Sequence, residues 1–87
     1  MILREPLQLF AQAMEAKLKK NDHKQSWREL PVEALLRLLV IELEELRVAL
    51  EYLTVAEARN ECPDLANFAL FIWDRLSTEP QDEKVKK

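Results

Sequence analysis

The sequence predicts an all-α fold, a small bundle of three main helices, and three observations support this. Good helix formers (Leu, Ala, Glu, Lys and Arg) dominate the 87 residues. Glycine is absent, which disfavours tight hairpins and glycine-rich phosphate loops, because both need positive φ or close backbone approach. Apolar residues recur at helical spacing. A chain this short forms one domain with a modest core, so we expect a partner subunit to complete the bundle.

Composition and charge exclude several classes of protein. The formal net charge is −3, and the basic footprint of a nucleic-acid binder is missing. Cys62 is the only cysteine, so no internal disulfide can form. No apolar run approaches the about 20 residues that span a bilayer, and no signal peptide is apparent. We therefore expect a folded cytoplasmic protein that binds neither nucleic acid nor membranes.

The first helix is predicted over residues 5–20, followed by a polar connection. Pro6 suits the first turn of a helix, where its missing N–H costs nothing. One apolar face is formed by Leu3, Leu7, Phe10, Ala11, Met14 and Leu18, and Lys17 lies at its edge. Residues 21–30 break this pattern and are predicted to form a loop, with Trp27 as its one large apolar side chain.

The second helix is predicted from near Pro31 to about Leu53. A wheel at about 100° per residue separates a leucine stripe from a charged stripe. The leucine stripe contains Leu36, Leu39, Leu43, Leu46, Leu50 and Leu53. The charged stripe contains Glu33, Arg37, Glu44, Arg47 and Glu51, with opposite charges at i,i+3 and i,i+4. The charged stripe is therefore the face expected to meet solvent.

The remaining chain predicts a capped turn and a last helix. Thr54 is an N-cap with Glu57 as its capping-box partner. We expect a short helical turn over 55–59, with Asn60 capping a separate last helix. If the helix is instead continuous, Pro63 should kink it.

The last helix is predicted to end near Ser77. Its apolar face is Leu65, Phe68, Ala69, Ile72 and Leu76, and the aromatic side chains Phe68, Phe71 and Trp73 are expected in the core. The predicted domain covers 1–78, and 79–87 form a charged, flexible tail.

Four acidic side chains lie off the solvated faces of the two later helices. Glu42 and Glu45 lie away from the charged stripe, and Glu61 and Asp64 lie on or beside the apolar face of the last helix. Converging carboxylates repel unless they bind a divalent cation or become protonated. Oxygen ligands favour Mg²⁺, Mn²⁺ or Ca²⁺ over zinc. Salt bridges between subunits, or acids at the rim of a dimer interface, remain alternatives.

The two acidic motifs, E-x-x-E at 42–45 and E-x-x-D at 61–64, resemble the signature of the MazG-like all-α nucleoside triphosphate pyrophosphohydrolases. LLRLLVIELEELRVAL resembles the first acidic helix of that family, and DLANFALFIWDRL resembles the second. Upstream, FAQAMEAKL followed by K-x-x-W resembles short phage and prokaryotic members. Cys62 and Pro63 depart from the family, whose second motif usually holds helix-favouring residues. Pro63 in particular would tilt the Asp64 side chain relative to Glu61.

The resemblance implies a specific activity and set of site residues. It implies Mg²⁺, with Mn²⁺ as a substitute, held by Glu42, Glu45, Glu61 and Asp64. The implied reaction converts an NTP or dNTP to the monophosphate and pyrophosphate, in a homodimer or higher homo-oligomer. Glu42 or Glu45 would orient or deprotonate the attacking water.

The same resemblance implies contacts to substrate outside the four acids. Lys17 and Lys24 would contact the phosphates, with ordinary solvation as the alternative. Trp27 would stack on a base or plug the core under the loop. Asn67 would bond ribose or support the site. The alternative function is a non-catalytic helical dimerisation or interaction module of the same fold.

Overall fold

The computed structural model describes residues 2–21 and 27–78. These residues form three α-helices, α1 (Glu5–Lys20), α2 (Val32–Tyr52) and α3 (Val55–Ser77), with a short 3₁₀ helix over Trp27–Glu29 before α2. The two-residue link between α2 and α3 makes them a helical hairpin, and α1 packs against α3. The described ranges contain no strand, so the predicted small all-α bundle is confirmed.

No helix in residues 2–21 or 27–78 is both long enough and apolar enough to cross a membrane. Lys24 and the predicted tail over 79–87 lie outside the described residues. The loop predicted over 21–30 was partly wrong, because Trp27–Glu29 form a 3₁₀ turn.

The start of α3 confirms the predicted capping box and corrects what was expected to follow it. The Glu57 N–H donates to Thr54 Oγ1 at 3.1 Å, and the Thr54 N–H donates to Glu57 Oε1 at 3.2 Å. From Val55 the helix runs unbroken to Ser77. The separate turn over 55–59 and the N-cap at Asn60 were therefore wrong.

Pro63 lies inside this continuous helix and is buried. An interior proline removes one backbone hydrogen bond and costs about 3 kcal/mol. Burial of Ala58, Pro63 and Asn67 along α3 outweighs that cost, because tertiary packing overrides local propensity.

The hydrophobic core of the described chain is small. Its buried apolar residues are Leu35, Ala49 and Ala58. No residue of α1 is fully buried. Much of the leucine stripe of α2 lies at the surface, with Leu43 51% and Leu50 69% exposed. The side of α2 that faces the core is the one centred on Leu35 and Ala49.

An aromatic cluster joins the 3₁₀ helix to α3. The Trp27 ring stacks on Phe71 with centroids 4.3 Å apart, and Phe68 meets Phe71 edge to face at 5.4 Å. Trp73 was wrongly predicted to be core, since it is 66% exposed. Two residues of helix turn the chain by about 200°, which places Trp73 on the opposite side of α3 from Phe71.

Candidate metal centre

Three of the four predicted acids meet between α2 and α3. Glu42 and Glu45 project from α2 and Glu61 from α3, and one carboxylate oxygen from each lies within 4.8 Å of the others. Residues three apart on a helix lie on neighbouring parts of one face, which pairs the two α2 acids. The hairpin then brings Glu61 opposite them. Glu45 is exposed, whereas Glu42 and Glu61 are half-buried.

Two of these carboxylates have a buried oxygen that lacks a partner. Glu42 Oε1 and Glu61 Oε1 are inaccessible to solvent and accept no hydrogen bond from any described residue. A buried polar atom without a partner is costly, and a buried charge is costlier. The arrangement is therefore unfavourable unless a proton or a cation compensates it.

The pKa values of two of these carboxyl groups reflect the same unfavourable burial, together with repulsion between the acids. The pKa of Glu42 is raised from 4.5 to about 7, first by burial and then by repulsion from Glu45, Asp64 and Glu61. The pKa of Glu61 is also raised, again first by burial and then by Glu45 and Asp64. Without a cation, Glu42 therefore holds its proton well above the usual range for a carboxyl group.

Asp64 does not join the three converging oxygens, which corrects the expectation that all four acids converge. Lys17 Nζ of α1 lies 3.1 Å from Asp64 Oδ2 and donates a hydrogen bond to it. Asp64 is thus paired with α1, while the other three acids converge between α2 and α3. Asp64 still lies close enough to the cluster to raise the pKa of Glu42.

Asn67 lies one turn beyond Asp64 and ties α3 to α1. It is 5% exposed, and its Nδ2 donates to the Met14 carbonyl at 3.2 Å. Asn67 Oδ1 and Trp27 Nε1 are buried and make no hydrogen bond with the described part of the chain. The structure thus gives Asn67 a helix-tethering contact and places Trp27 against Phe71.

Two features near the cluster were not predicted from the sequence. The Lys17–Asp64 pair was missed, although the position of Lys17 at the edge of an apolar face was a usable signal. An open groove of about 780 Å³ between α1 and the first half of α3 was also missed. Its lining includes Phe10, Cys62 and Pro63. No spacing rule marks such a groove before two helices are docked.

The donor set fits a hard divalent cation. All three converging ligand atoms are carboxylate oxygens, as Mg²⁺ and Mn²⁺ prefer. Two of the residues present buried oxygens without a partner, which a cation would satisfy. Cys62 is not directed to the cluster, because its Sγ donates to the Ala58 carbonyl at 3.7 Å. An all-oxygen donor set of this kind suits magnesium or manganese better than zinc, which favours Cys and His ligands.

Comparison with known proteins finds similarity to an archaeal protein. No protein-family profile matches the chain. No solved structure matches it. An uncharacterized protein of Archaeoglobus fulgidus is 31% identical over 72 residues, which are 83% of this chain and 77% of the relative. At that identity and coverage, the chain belongs to the same family as this archaeal protein.

Proposed function

We propose that the protein is a magnesium-dependent nucleoside triphosphate pyrophosphohydrolase of the MazG-like type. The observation that carries the proposal is the convergence of carboxylate oxygens from Glu42, Glu45 and Glu61 within 4.8 Å. Two acidic motifs on successive helices, at the spacing of that family, supply these residues together with Asp64. Unpartnered buried oxygens at Glu42 and Glu61 add to the support, because a cation would compensate them.

The acids would serve as the ligands of the cation. Glu42, Glu45 and Glu61 would hold it, with Asp64 as the fourth acid of the motif. When bound there, Mg²⁺ would neutralise charge on the phosphate oxygens and so favour attack by water at the α-phosphorus.

The proposed reaction hydrolyses the bond between the α-phosphorus and the oxygen that bridges to the β-phosphorus. A water oxygen bonds to the α-phosphorus, and the bridging oxygen leaves with pyrophosphate. Glu42 or Glu45 accepts the proton of the water and orients its lone pair.

Other residues would bind the nucleotide around this centre. Lys17 lies beside the acids and carries a positive charge suited to a phosphate. Lys24 would also contact the phosphates, on the basis of its place in the K-x-x-W motif. Asn67 supports the site through its bond to α1, with ribose as the alternative partner of its free oxygen. Trp27 would contact a base through the part of its ring that is left open by the stacked Phe71 and by the Arg28 guanidinium, which lies 5.2 Å from the ring centroid.

We also propose that the active form is a homodimer or a higher homo-oligomer. Leu36, Leu43 and Leu50 recur at heptad spacing along α2 and are each at least half exposed. An exposed apolar stripe of this kind is typical of a helix that packs against another subunit. A second copy of α2 is the occupant that this spacing fits.

A non-catalytic interaction module remains the second candidate. The exposed leucines favour it, and so does the Lys17–Asp64 pair, which partly compensates the acids without a cation. Such a module predicts that MgCl₂ added after EDTA leaves the melting temperature unchanged and that no nucleotide is hydrolysed.

The test of the proposed activity is pyrophosphate release from the common NTPs and dNTPs, with Mg²⁺ and with EDTA. We expect release that requires Mg²⁺. Glu42→Gln and Glu45→Gln should each lower kcat by about a hundredfold or more, since each removes a charged ligand or base. Both variants should keep the helical circular dichroism of the wild type.

Glu44→Gln is the matched control. Glu44 lies next to these acids in sequence but pairs with Arg47 at 2.5 Å on the solvated face, so its loss should leave kcat unchanged. Turnover that survives both Glu42→Gln and Glu45→Gln, or inorganic phosphate as the first product, would contradict the proposal.

A further inference from the structure

The Lys17–Asp64 pair is the starting point, because it joins α1 to the one motif acid that stands outside the converging oxygens. The two residues are 47 positions apart in the chain and 3.1 Å apart in space. Their side chains are 21% and 29% exposed. Both side chains are partly shielded from solvent, so the pair is more than a loose surface contact, yet neither partner is buried in the core.

The charge of Lys17 reaches beyond Asp64. Burial and neighbouring carboxylates raise the pKa of Glu42 and of Glu61, and the Lys17 ammonium opposes that rise at both residues. Lys17 therefore acts on Glu42 and Glu61 as well as on Asp64, as a counterion supplied by the protein itself. Its flexible four-carbon stem can also carry the ammonium group several ångströms without moving the helix.

We propose that Lys17 competes with the divalent cation for Asp64, and that cation binding releases its ammonium group to the phosphates of the substrate. This inference rests on the proposed function and adds an order of events to it. Lys17 holds Asp64 in the cation-free protein. It gives up Asp64 when the cation binds and then pairs with an anionic oxygen of the nucleotide. Cation binding thus prepares the anion site.

A plain structural role for the pair makes a different prediction. If Lys17 only tethers α1 to α3, its loss loosens the bundle and weakens the binding of cation and anion together. If Lys17 competes for Asp64, its loss strengthens cation binding and weakens anion binding. Opposite signs of the two effects would therefore rule out a purely structural role for the pair.

The experiment uses two probes, Mn²⁺ alone and then inorganic pyrophosphate at saturating Mn²⁺, each titrated by calorimetry into wild type and Lys17→Met. We expect Lys17→Met to bind Mn²⁺ about fivefold more tightly, because an ion pair no longer has to be broken. We expect the same variant to bind pyrophosphate about tenfold more weakly, because a charge-assisted contact is lost.

Lys17→Arg provides an independent test, because it should change Mn²⁺ affinity in the opposite direction to Lys17→Met. A guanidinium group holds a carboxylate in a bidentate fork and is always charged, so this variant should bind Mn²⁺ about threefold more weakly than wild type. It keeps the positive charge near the acids and therefore tests the competition even if Lys17→Met fails to fold.

Asp74→Asn is the matched control. Asp74 forms an ion pair with Arg28 at 3.0 Å, which also ties an earlier segment of the chain to α3. Asp74 lies about 15 Å along the helix from Asp64. Its loss should leave both affinities unchanged.

Equal or weaker Mn²⁺ binding by Lys17→Met, or tighter binding by Lys17→Arg, overturns the competition while leaving the proposed function in place. Absence of Mn²⁺ binding by the wild type overturns the proposed function and this inference with it.

Discussion

Glu42 links the chemistry of the acidic cluster to the stability of the fold. Its pKa is about 7 in the folded protein and 4.5 in the absence of structure. Between these values the folded chain holds a proton that the unfolded chain has lost. Stability rises with pH only where the unfolded state binds more protons, so here the free energy of unfolding must fall as pH rises.

The first prediction follows from that sign. In EDTA, the melting temperature of the wild type should fall by several degrees as pH is raised from about 5 to 8. Glu42→Gln should flatten this dependence and melt at a higher temperature than wild type at pH 8, because an amide has no charge to bury. Differential scanning calorimetry over this pH range checks it, and a wild-type melt that rises with pH contradicts it.

Asn67 carries the second prediction, through the hydrogen bond that it donates to Met14 of α1. Asn67→Ala should lower the free energy of unfolding by about 1–3 kcal/mol, because a buried contact between helices is lost. Urea denaturation measures this change.

Asn21→Ala is the control for Asn67. Asn21 also donates its amide to a backbone carbonyl, that of Lys17 at 3.1 Å, but on an exposed surface. Its loss should stay within about 0.5 kcal/mol. Equal losses of unfolding free energy in the two variants would show that the buried hydrogen bond of Asn67 contributes no more to stability than the exposed one of Asn21.

At the scale of the helices, Pro63 gives the third prediction. It lies inside α3 and cannot donate the backbone hydrogen bond expected there. Pro63→Ala should therefore raise the free energy of unfolding, by about 1 kcal/mol after the loss of some buried surface. Pro6→Ala is the control, because Pro6 lies in the first turn of α1, where no such bond is missing. A destabilised Pro63→Ala would mean that packing of the ring dominates.

The bounds of the helices were largely predictable, and the exceptions have local causes. The Thr54 capping box begins α3 through contacts within four residues, so the sequence alone reveals it. The continuity of α3 through Pro63 depends on burial against neighbouring elements. The exposure of Trp73 depends on which side of α3 the other helices cover. A helical wheel of a single segment shows neither the continuity of α3 through Pro63 nor the exposure of Trp73, because both depend on contacts with other elements.

For the whole molecule, the question is how three helices with so small a core remain stable. Leu35 is the one large side chain that is completely buried among the described residues. The remaining apolar surface, above all the leucine stripe of α2, supports the proposed self-association.

The fourth prediction tests that association. The purified protein should sediment as a dimer or larger species. Leu43→Lys should raise the dissociation constant roughly thirtyfold, because an interface residue of this kind contributes about 2 kcal/mol to association. Analytical ultracentrifugation measures both. Trp73→Lys removes a comparably exposed side chain from a different helix and should leave association unchanged. A monomeric wild type at high concentration would contradict the proposal.

The candidate site was predictable to the extent that it depends on periodicity. Helical spacing placed Glu42, Glu45 and Glu61 on inward faces, and the structure brings their oxygens together. The position of Asp64 depends on Lys17, a residue of another helix. No pattern within α3 contains that information, because it arises only when α1 docks.

The α2–α3 hairpin has a consequence for folding kinetics. All three converging acids belong to it, and Glu42 and Glu61 are fewer than twenty residues apart in the chain. Contacts so close in sequence form early, since little loop-closure entropy opposes them. A ligand held by an early-forming element stabilises the folding transition state as well as the native state. A divalent cation bound at the proposed site should therefore speed refolding of this chain more than it slows unfolding.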